Sequence, residues 1–252
     1  MDQKRIIDEF KELVSIEVHS RDERSIADVL KEKLTALGLT VTEDKAGEVL
    51  GGNTGNLYAQ LSGSTDGEPV LFSAHMDRVG NHGHIVPLVK EEEGKIVSDG
   101  TSILAGDDIG GVAAILAMLR EVKEKQIPHG PIEVAFSVCE ETGVEGSRQY
   151  DFSKFNAKSA FVYDASGKAG TIVLAAPSKG RVTIRVHGVT AHAGNEPEKG
   201  LNALKVAADL IMQLPDGRLS PVSTANFSII EAGSATNVVC DLVTITGEQR
   251  SR

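Results

Sequence analysis

Three apolar segments of the sequence end directly in histidine or acidic residues. Each segment has the length of a buried strand, and the residues that follow are His75 and Asp77 after 70–74, Glu140 and Glu141 after 132–139, and Asp164 after 160–163. A fourth segment places Asp107 and Asp108 at the start of a predicted helix. Ligands of open α/β sheets bind beyond the carboxyl ends of the strands. We therefore expect these side chains to converge on one acidic site.

Such a site would need cations. Two carboxylates about 4 Å apart repel by about 4 kcal/mol at an effective dielectric constant near 20, so several acids at one sheet edge would destabilise the fold on their own. One histidine with several carboxylates suits zinc, with manganese or cobalt as alternatives. Paired metal ions about 3.5–4 Å apart typically serve hydrolysis. The residue types therefore predict a di-metal hydrolase.

Each motif alone also has a simpler structural explanation. His75 and Asp77 would lie on the same side of a strand, where Asp77 either holds a metal-bound imidazole or only satisfies a strand-end histidine. Aspartate is a favoured N-cap residue, so Asp107 or its neighbour could serve only the helix. The two glutamates and Asp164 could lie in ordinary turns. It is the combination of these acids that favours metal binding.

Gly110 and Gly111 fall in the first turn of the predicted helix. Glycine destabilises a helix by up to about 1 kcal/mol relative to alanine. Two glycines at this point therefore predict that another group approaches the helix closely.

Periodicity along the chain predicts an alternating order of helices and strands. The predicted elements are helices at about 6–14, 26–37 and 108–123, strands at 39–42, 56–61, 70–74, 132–138 and 160–163, and a hairpin at 87–97. This order favours an α/β domain over residues 1–177, with a mixed, largely parallel sheet flanked by helices.

The pattern changes near residue 178, and we expect a second, smaller α+β domain over residues 178–252. Residues 181–187 alternate between polar and apolar, which is typical of a strand with one solvated side. A helix over 202–214 and strands over 227–230 and 238–246 would complete a β-α-β-β unit.

The composition excludes several classes of function. The formal net charge is −10, whereas nucleic-acid binding relies on clustered lysine and arginine. No apolar stretch approaches the roughly 20 residues that span a bilayer, and the amphipathic start does not predict a signal peptide. Cys139 and Cys240 are too few for a disulfide framework. We therefore expect a cytoplasmic protein with reduced thiols that binds neither nucleic acid nor membrane.

The motifs also resemble, in order, those of the di-zinc metallopeptidases of the peptidase T (tripeptide aminopeptidase) type. That family also includes aminoacylases and glutamate carboxypeptidases. The matching segments are 73–77 (SAHMD), 99–101 (DGT), 105–108 (AGDD), 140–143 (EETG), 163–164 (YD), 191–194 (AHAG), 200–203 (GLNA) and 235–237 (ATN). The resemblance implies a zinc-exopeptidase-like fold with a lid domain.

The resemblance implies a role for each acidic motif. It implies two zinc ions held by four ligands, namely His75, Asp107 as the bridge between the ions, Glu141 and Asp164. Glu140 would be the general base that activates the attacking water, and Asp77 would orient the imidazole of His75.

In the second domain the resemblance implies a lid through which two copies form a homodimer. His192 would help to stabilise the oxyanion, often across the dimer interface, although alone it would be interpreted as an ordinary loop histidine. Asn237 and Arg250 would contact the substrate, with Arg250 pairing to a carboxylate.

The sequence departs from the family pattern at several points. Many relatives have threonine where this chain has Arg78, which would alter specificity or pair with a nearby acid, and lysine where it has Ile109. Family members supply a final histidine ligand after the lid, so we expect this chain to be C-terminally truncated and weakly active or inactive in this form. His82 and His84 are expected to line the rim of the site.

The resulting prediction is metal-dependent hydrolysis of short peptides, with release of the N-terminal residue from tripeptides. An aminoacylase or carboxypeptidase of the same family would differ in what its pocket recognises. The alternative from a different class is a non-catalytic metal-binding or peptide-binding fragment.

Overall fold

The computed structural model describes residues 2–80, 83–168 and 170–252. The chain divides into two compact units, Met1–Ala169 and Gly170–Arg252. Residues 171–177 have no regular secondary structure, and the first strand of the second unit begins at Ser178.

A five-stranded mixed sheet forms the centre of the first unit. Its elements, in chain order, are α1 (Gln3–Val14), α2 (Arg24–Ala36), β1 (Thr40–Glu43), α3 (Ala46–Leu50), β2 (Leu57–Leu61), β3 (Val70–His75), the hairpin β4 (Pro87–Lys90) and β5 (Lys95–Ser98), α4 (Gly106–Glu124), β6 (Ile132–Ser137) and β7 (Ser159–Val162). The strand order is β1-β2-β6-β3-β7. β3 runs parallel to both of its neighbours, β6 and β7, whereas β1 and β2 pair antiparallel. The carboxyl ends of β3, β6 and β7 therefore meet at one edge.

The core of this unit explains why these segments form strands and helices. Every residue of β6 is buried, as expected for a nearly continuous apolar run in the centre of a sheet. The one charged residue of β6 is Glu133, whose carboxylate accepts hydrogen bonds from the backbone N–H groups of Asn156 and Ala157. α4 packs against β3 and α1, and it contributes buried residues such as Val112 and Leu116.

The second unit is a four-stranded antiparallel sheet with one helix. It consists of β8 (Ser178–His187), α5 (Ala203–Gln213), β9 (Gly217–Ser220), β10 (Ser223–Ala232) and β11 (Leu242–Ser251), in the sheet order β8-β11-β10-β9. α5 packs on β8 and β11. Their contact surface includes the buried side chains of Ala203, Ala207, Val243 and Ile245.

Two strand predictions for this unit need correction. β9 (Gly217–Ser220) is not among the predicted strands, because its short sequence follows directly on the turn that ends α5. The last strand is also displaced from its predicted range of 238–246, since β11 begins at Leu242 and continues to Ser251. The residues beyond Thr246 are polar, and it is pairing with β8 and β10 that keeps them extended. In the part of the chain that the structure describes, no helix is both long and apolar enough to cross a membrane.

Candidate metal centre

The five predicted ligand and base residues of the first unit come together at the carboxyl edge of β3, β6 and β7. His75, Asp107 and Glu141 each offer one ligand atom, and these atoms all lie within 4.8 Å of one another. His75, Glu140 and Asp164 form a second group of the same kind. The two groups share the imidazole of His75. Between them they contain four carboxylates.

His75 is held on one side of its ring and faces the acids on the other. It is the last residue of β3, and its side chain is 2% exposed. Nδ1 lies 2.9 Å from the backbone oxygen of Asp77 and 3.3 Å from its Oδ1. Nε2 lies 2.9 Å from Asp107 Oδ1 and 4.0 Å from Glu140 Oε2. Asp77 therefore lies where it can orient the ring, and Nε2 is the atom available to a metal ion.

Asp77 also holds the loop that carries the two glutamates. Its buried carboxylate accepts hydrogen bonds from the backbone N–H groups of Glu140 (2.9 Å) and Glu141 (3.1 Å) and from the hydroxyl of Ser20 (2.6 Å). Burial alone would raise the pKa of Asp77, but the hydrogen bonds from His75, Ser20 and Glu140 outweigh it and lower the pKa. Asp77 is therefore an ionised anchor for both sides of the site.

The two aspartates at the start of α4 have different environments. The Asp107 side chain is 70% exposed, and its backbone is not helical (φ −85°, ψ 109°). The peptide bond between Asp107 and Asp108 is cis. Asp108 is buried, and its Oδ2 accepts the backbone N–H of His75 at 3.2 Å. Asp108 therefore supports β3 through this contact, whereas Asp107 faces the site.

Crowding of the acids is visible in their pKa values. Burial, and then repulsion among the acids, raises the pKa of Glu140, Glu141 and Asp164. Burial raises the pKa of Asp108 to about 8, although His75 opposes this. For His75, burial alone would lower the pKa, but the hydrogen bonds and charges of the surrounding aspartates raise it to about 10. The site thus favours positive charge.

A cleft of about 620 Å³ lies beside these acids. Asp107, Asp108 and Asp164 line it, together with Tyr163 and the segment 165–167. This volume is within the range of small-molecule sites, so the acids border a space large enough for a short substrate.

Close approach to the helix occurs at one of the two glycines. A Cβ atom on Gly111 would lie 2.4 Å from Asp108 Oδ1 and 2.8 Å from Tyr163 Cβ, whereas a Cβ on Gly110 would meet nothing within 4 Å. The prediction from the glycine pair is therefore confirmed for Gly111 and wrong for Gly110.

These two glycines provide a matched pair of substitutions. We expect Gly111→Ala to lower the free energy of unfolding by about 1–3 kcal/mol, because the methyl group overpacks the site. Gly110→Ala should raise it by about 0.5–1 kcal/mol, since alanine is the better helix former. Urea denaturation of both variants measures these changes, and equal stability of the two would contradict the packing argument.

Arg78, one of the residues that depart from the family pattern, stabilises the fold. Arg78 is 1% exposed and donates to backbone carbonyls of Val18 (2.8 Å), Val14 (3.3 Å) and Gly83 (3.2 Å). It therefore joins the end of α1 to the segment after Asp77, and these three hydrogen bonds go to backbone carbonyls rather than to an acid.

The other positions singled out near the site have simple environments. Ile109 is 1% exposed and belongs to the hydrophobic core. The side chain of His84 is exposed. His82 lies outside the described residues.

The three site residues predicted for the second unit lie on its surface. His192 Nδ1 accepts the backbone N–H groups of Gly194 and Asn195, both at 3.2 Å. Asn237 is close by, since its carbonyl oxygen accepts the N–H of Ala193. Arg250 lies in β11 and donates through Nε to Glu248 at 2.8 Å. Their catalytic and substrate-binding roles stay predictions.

Two residues that support the site, Ser20 and Glu23, were not predicted from the sequence. Ser20 donates to Asp77, and Glu23 accepts a hydrogen bond next to Glu140. Glu23 is fully buried, and its Oε1 accepts the backbone N–H of Cys139, the residue before Glu140. Burial raises the pKa of Glu23. A buried acid of this kind has no sequence signal, because it lies in a polar stretch before α2.

Comparison with known proteins identifies the family. Residues 56–196 match the family described as Peptidase family M28, and residues 177–251 match the peptidase dimerisation domain M20_dimer. The whole chain is similar to the aminopeptidase PepT of Bacillus cereus (42% identity, TM-score 0.91) and to a tripeptidase of Staphylococcus aureus (37% identity, TM-score 0.92), and it covers 67% of each. It is also 40% identical to the uncharacterized protein YqjE of Bacillus subtilis, again over 67% of that relative.

The chain thus spans about two thirds of the length of these relatives. The observed mixed α/β fold agrees with that of the PepT structure, as the sequence predicted. The chain therefore belongs to the metallopeptidases: it matches Peptidase family M28, and it is a relative of PepT.

Proposed function

We propose that this metallopeptidase releases the N-terminal residue of tripeptides, using two zinc ions and Glu140 as the general base. The observation that carries the proposal is the pair of ligand groups that share His75, in which each set of ligand atoms lies within 4.8 Å. The likeness to a tripeptidase over the whole chain supports the choice of substrate.

The residues present fit divalent metal ions. Imidazole nitrogen and carboxylate oxygen are donors that zinc, manganese and cobalt accept, and the four carboxylates leave the site with an excess of negative charge. His75, Asp107, Glu141 and Asp164 would hold the ions. When bound, such ions lower the pKa of water towards about 7 and polarise a carbonyl group.

The chain's own residues supply the proton transfers. Glu140 takes a proton from the attacking water and delivers it to the leaving amine. Its side chain is 25% exposed, so substrate and water can reach it. Asp77 fixes the backbone of Glu140 and the ring of His75 at once, and this keeps the base and the metal ligand in a constant position relative to each other.

The second unit would supply the dimer contact and the residues that bind the substrate. The match to a peptidase dimerisation domain supports a homodimer formed through this unit. His192 would stabilise the oxyanion, and Asn237 and Arg250 would hold the peptide.

The substrate assignment is tested with the protein at its native length, loaded with zinc. We expect hydrolysis of tripeptides that have a free amino terminus, loss of this activity on chelation, and its recovery when zinc is returned. The N-acetylated form of the same tripeptide should be cleaved poorly, since the free amine would be part of what is recognised. Preference for N-acyl amino acids would instead indicate an aminoacylase, and calorimetric binding of tripeptide without cleavage would indicate a peptide-binding protein.

A further inference from the structure

Three consecutive backbone amides at the end of β6 are held by two buried carboxylates. The Cys139 N–H donates to Glu23 Oε1 at 3.0 Å. The Glu140 N–H donates to Asp77 Oδ1 at 2.9 Å, and the Glu141 N–H donates to Asp77 Oδ2 at 3.1 Å. The backbone that carries both glutamates is therefore fixed by side chains from two distant parts of the sequence.

Glu23 occupies an unusual position for a structural residue. It is the N-cap of α2, yet its side chain makes no capping hydrogen bond to that helix. Oε1 accepts the N–H of Arg21 as well as that of Cys139, while Oε2 is buried without a hydrogen-bond partner among the described residues. A buried and incompletely satisfied acid destabilises a fold. The hydrogen bonds from Arg21 and Cys139 offset this cost, and only the one from Cys139 reaches the loop that carries the two glutamates.

Cys139 is the residue at which the chain turns out of the sheet. Its φ of 50° lies in the left-handed region. The loop then closes on itself, because the Glu145 N–H donates to the Cys139 carbonyl and the Val144 N–H donates to the Glu140 carbonyl. Arg21 holds the far end of the loop through an ion pair with Glu145 at 2.8 Å. The direction of the two glutamates thus depends on how the Cys139 peptide is oriented.

We propose that Glu23 is a positioning residue for Glu140 and Glu141. By holding the Cys139 amide, it fixes the point where the loop leaves β6, so that one glutamate faces the substrate and the other faces the metal site. This inference rests on the roles proposed above for the two glutamates. It assigns Glu23 no contact with substrate or metal.

The test compares three variants of the native-length protein. Glu23→Ala removes the acceptor, Glu23→Gln keeps an oxygen that can accept the Cys139 N–H, and Glu9→Ala is the matched control. Glu9 is also a buried glutamate with an unpartnered Oε2, but it contacts Arg120 and Lys33 instead of the loop. Each variant is titrated with cobalt(II) and followed by visible absorption. Turnover of a tripeptide and amide hydrogen exchange are measured on the same samples.

For Glu23→Ala we expect cobalt(II) affinity and kcat each to fall about 10–100-fold, the usual effect of removing an outer support of a metal site. KM should change less, and hydrogen exchange should rise in residues 139–145 but not along β6. Glu23→Gln should restore most of the affinity and kcat. Glu9→Ala should lower the melting temperature and leave cobalt(II) affinity and kcat unchanged.

Wild-type metal affinity and kcat in folded Glu23→Ala, or the same pattern in Glu23→Ala and Glu9→Ala, would overturn the proposal. If Glu23→Ala does not fold, Glu23→Asp takes its place, because the shorter side chain keeps the charge but withdraws the acceptor. Wild-type behaviour of that variant would equally overturn it. The Glu140→Gln variant, measured alongside, separates the two levels: an active Glu140→Gln refutes the proposed function, whereas an inactive one with unaffected Glu23 variants refutes only the role of Glu23.

Discussion

Replacing Glu140 with glutamine is expected to lower kcat for tripeptide hydrolysis by about 10²–10⁴-fold, the usual contribution of a general base. Glutamine has the same shape but cannot accept the proton of water. Because the Glu140 backbone is held by Asp77, the loop should keep its conformation. Steady-state kinetics with zinc-loaded protein, together with metal analysis of the same sample, measures both quantities.

The matched control is Glu141→Gln, an isosteric change one residue further along the same loop. We expect this variant to lose metal affinity first, with activity recovering when zinc is in excess. The geometry makes this comparison necessary, since Glu140 and Glu141 each belong to one of the two ligand groups. If Glu140→Gln lost metal as Glu141→Gln does, Glu140 would be a ligand, and full activity of Glu140→Gln would refute its role as the base.

Asp107→Asn is expected to abolish tight binding of both metal ions. Asp107 Oδ1 lies 2.9 Å from Nε2 of His75, the residue that both ligand groups share. The loss of affinity should exceed the roughly 10–100-fold effect of an outer support. The stability of the metal-free fold should change by less than about 0.5 kcal/mol, since the side chain is largely exposed.

Native mass spectrometry gives the number of ions bound to Asp107→Asn, and thermal denaturation without metal gives its stability. Asp66→Asn is the control, because Asp66 is an exposed acid in the loop before β3, at the opposite end of that strand from His75. Two tightly bound ions in Asp107→Asn would rule out its role as the bridging ligand.

The parts of the site that could be predicted are those that follow a strand directly. His75, Glu140 and Asp164 each come after an apolar run that ends abruptly, and parallel neighbours place such ends together. Their supporting residues could not be predicted in this way. Ser20 contacts Asp77 across 57 positions of the sequence, and Glu23 contacts Cys139 across 116. These contacts exist only because the connection between α1 and α2 packs beneath the site, and no local pattern encodes that packing.

In the second unit, the local sequence pattern predicted that strands form but did not predict where the last strand ends. The alternation in β8 predicted a strand with one solvated side, and the structure has it. β11 extends past Thr246 through polar residues because strands on both sides supply its hydrogen bonds. Arg250 consequently lies within a sheet, where it pairs with Glu248.

The environment of Cys139 bears on how reactive its thiol is. Burial raises the pKa of this thiol to about 12, and the neighbouring Glu23 adds to the effect. Only a thiolate is a strong sulfur ligand and a target for oxidation. At neutral pH the thiol of Cys139 therefore stays protonated, although this residue stands next to the proposed base in the sequence. The same protonation leaves peroxide without a nucleophile to attack at this position.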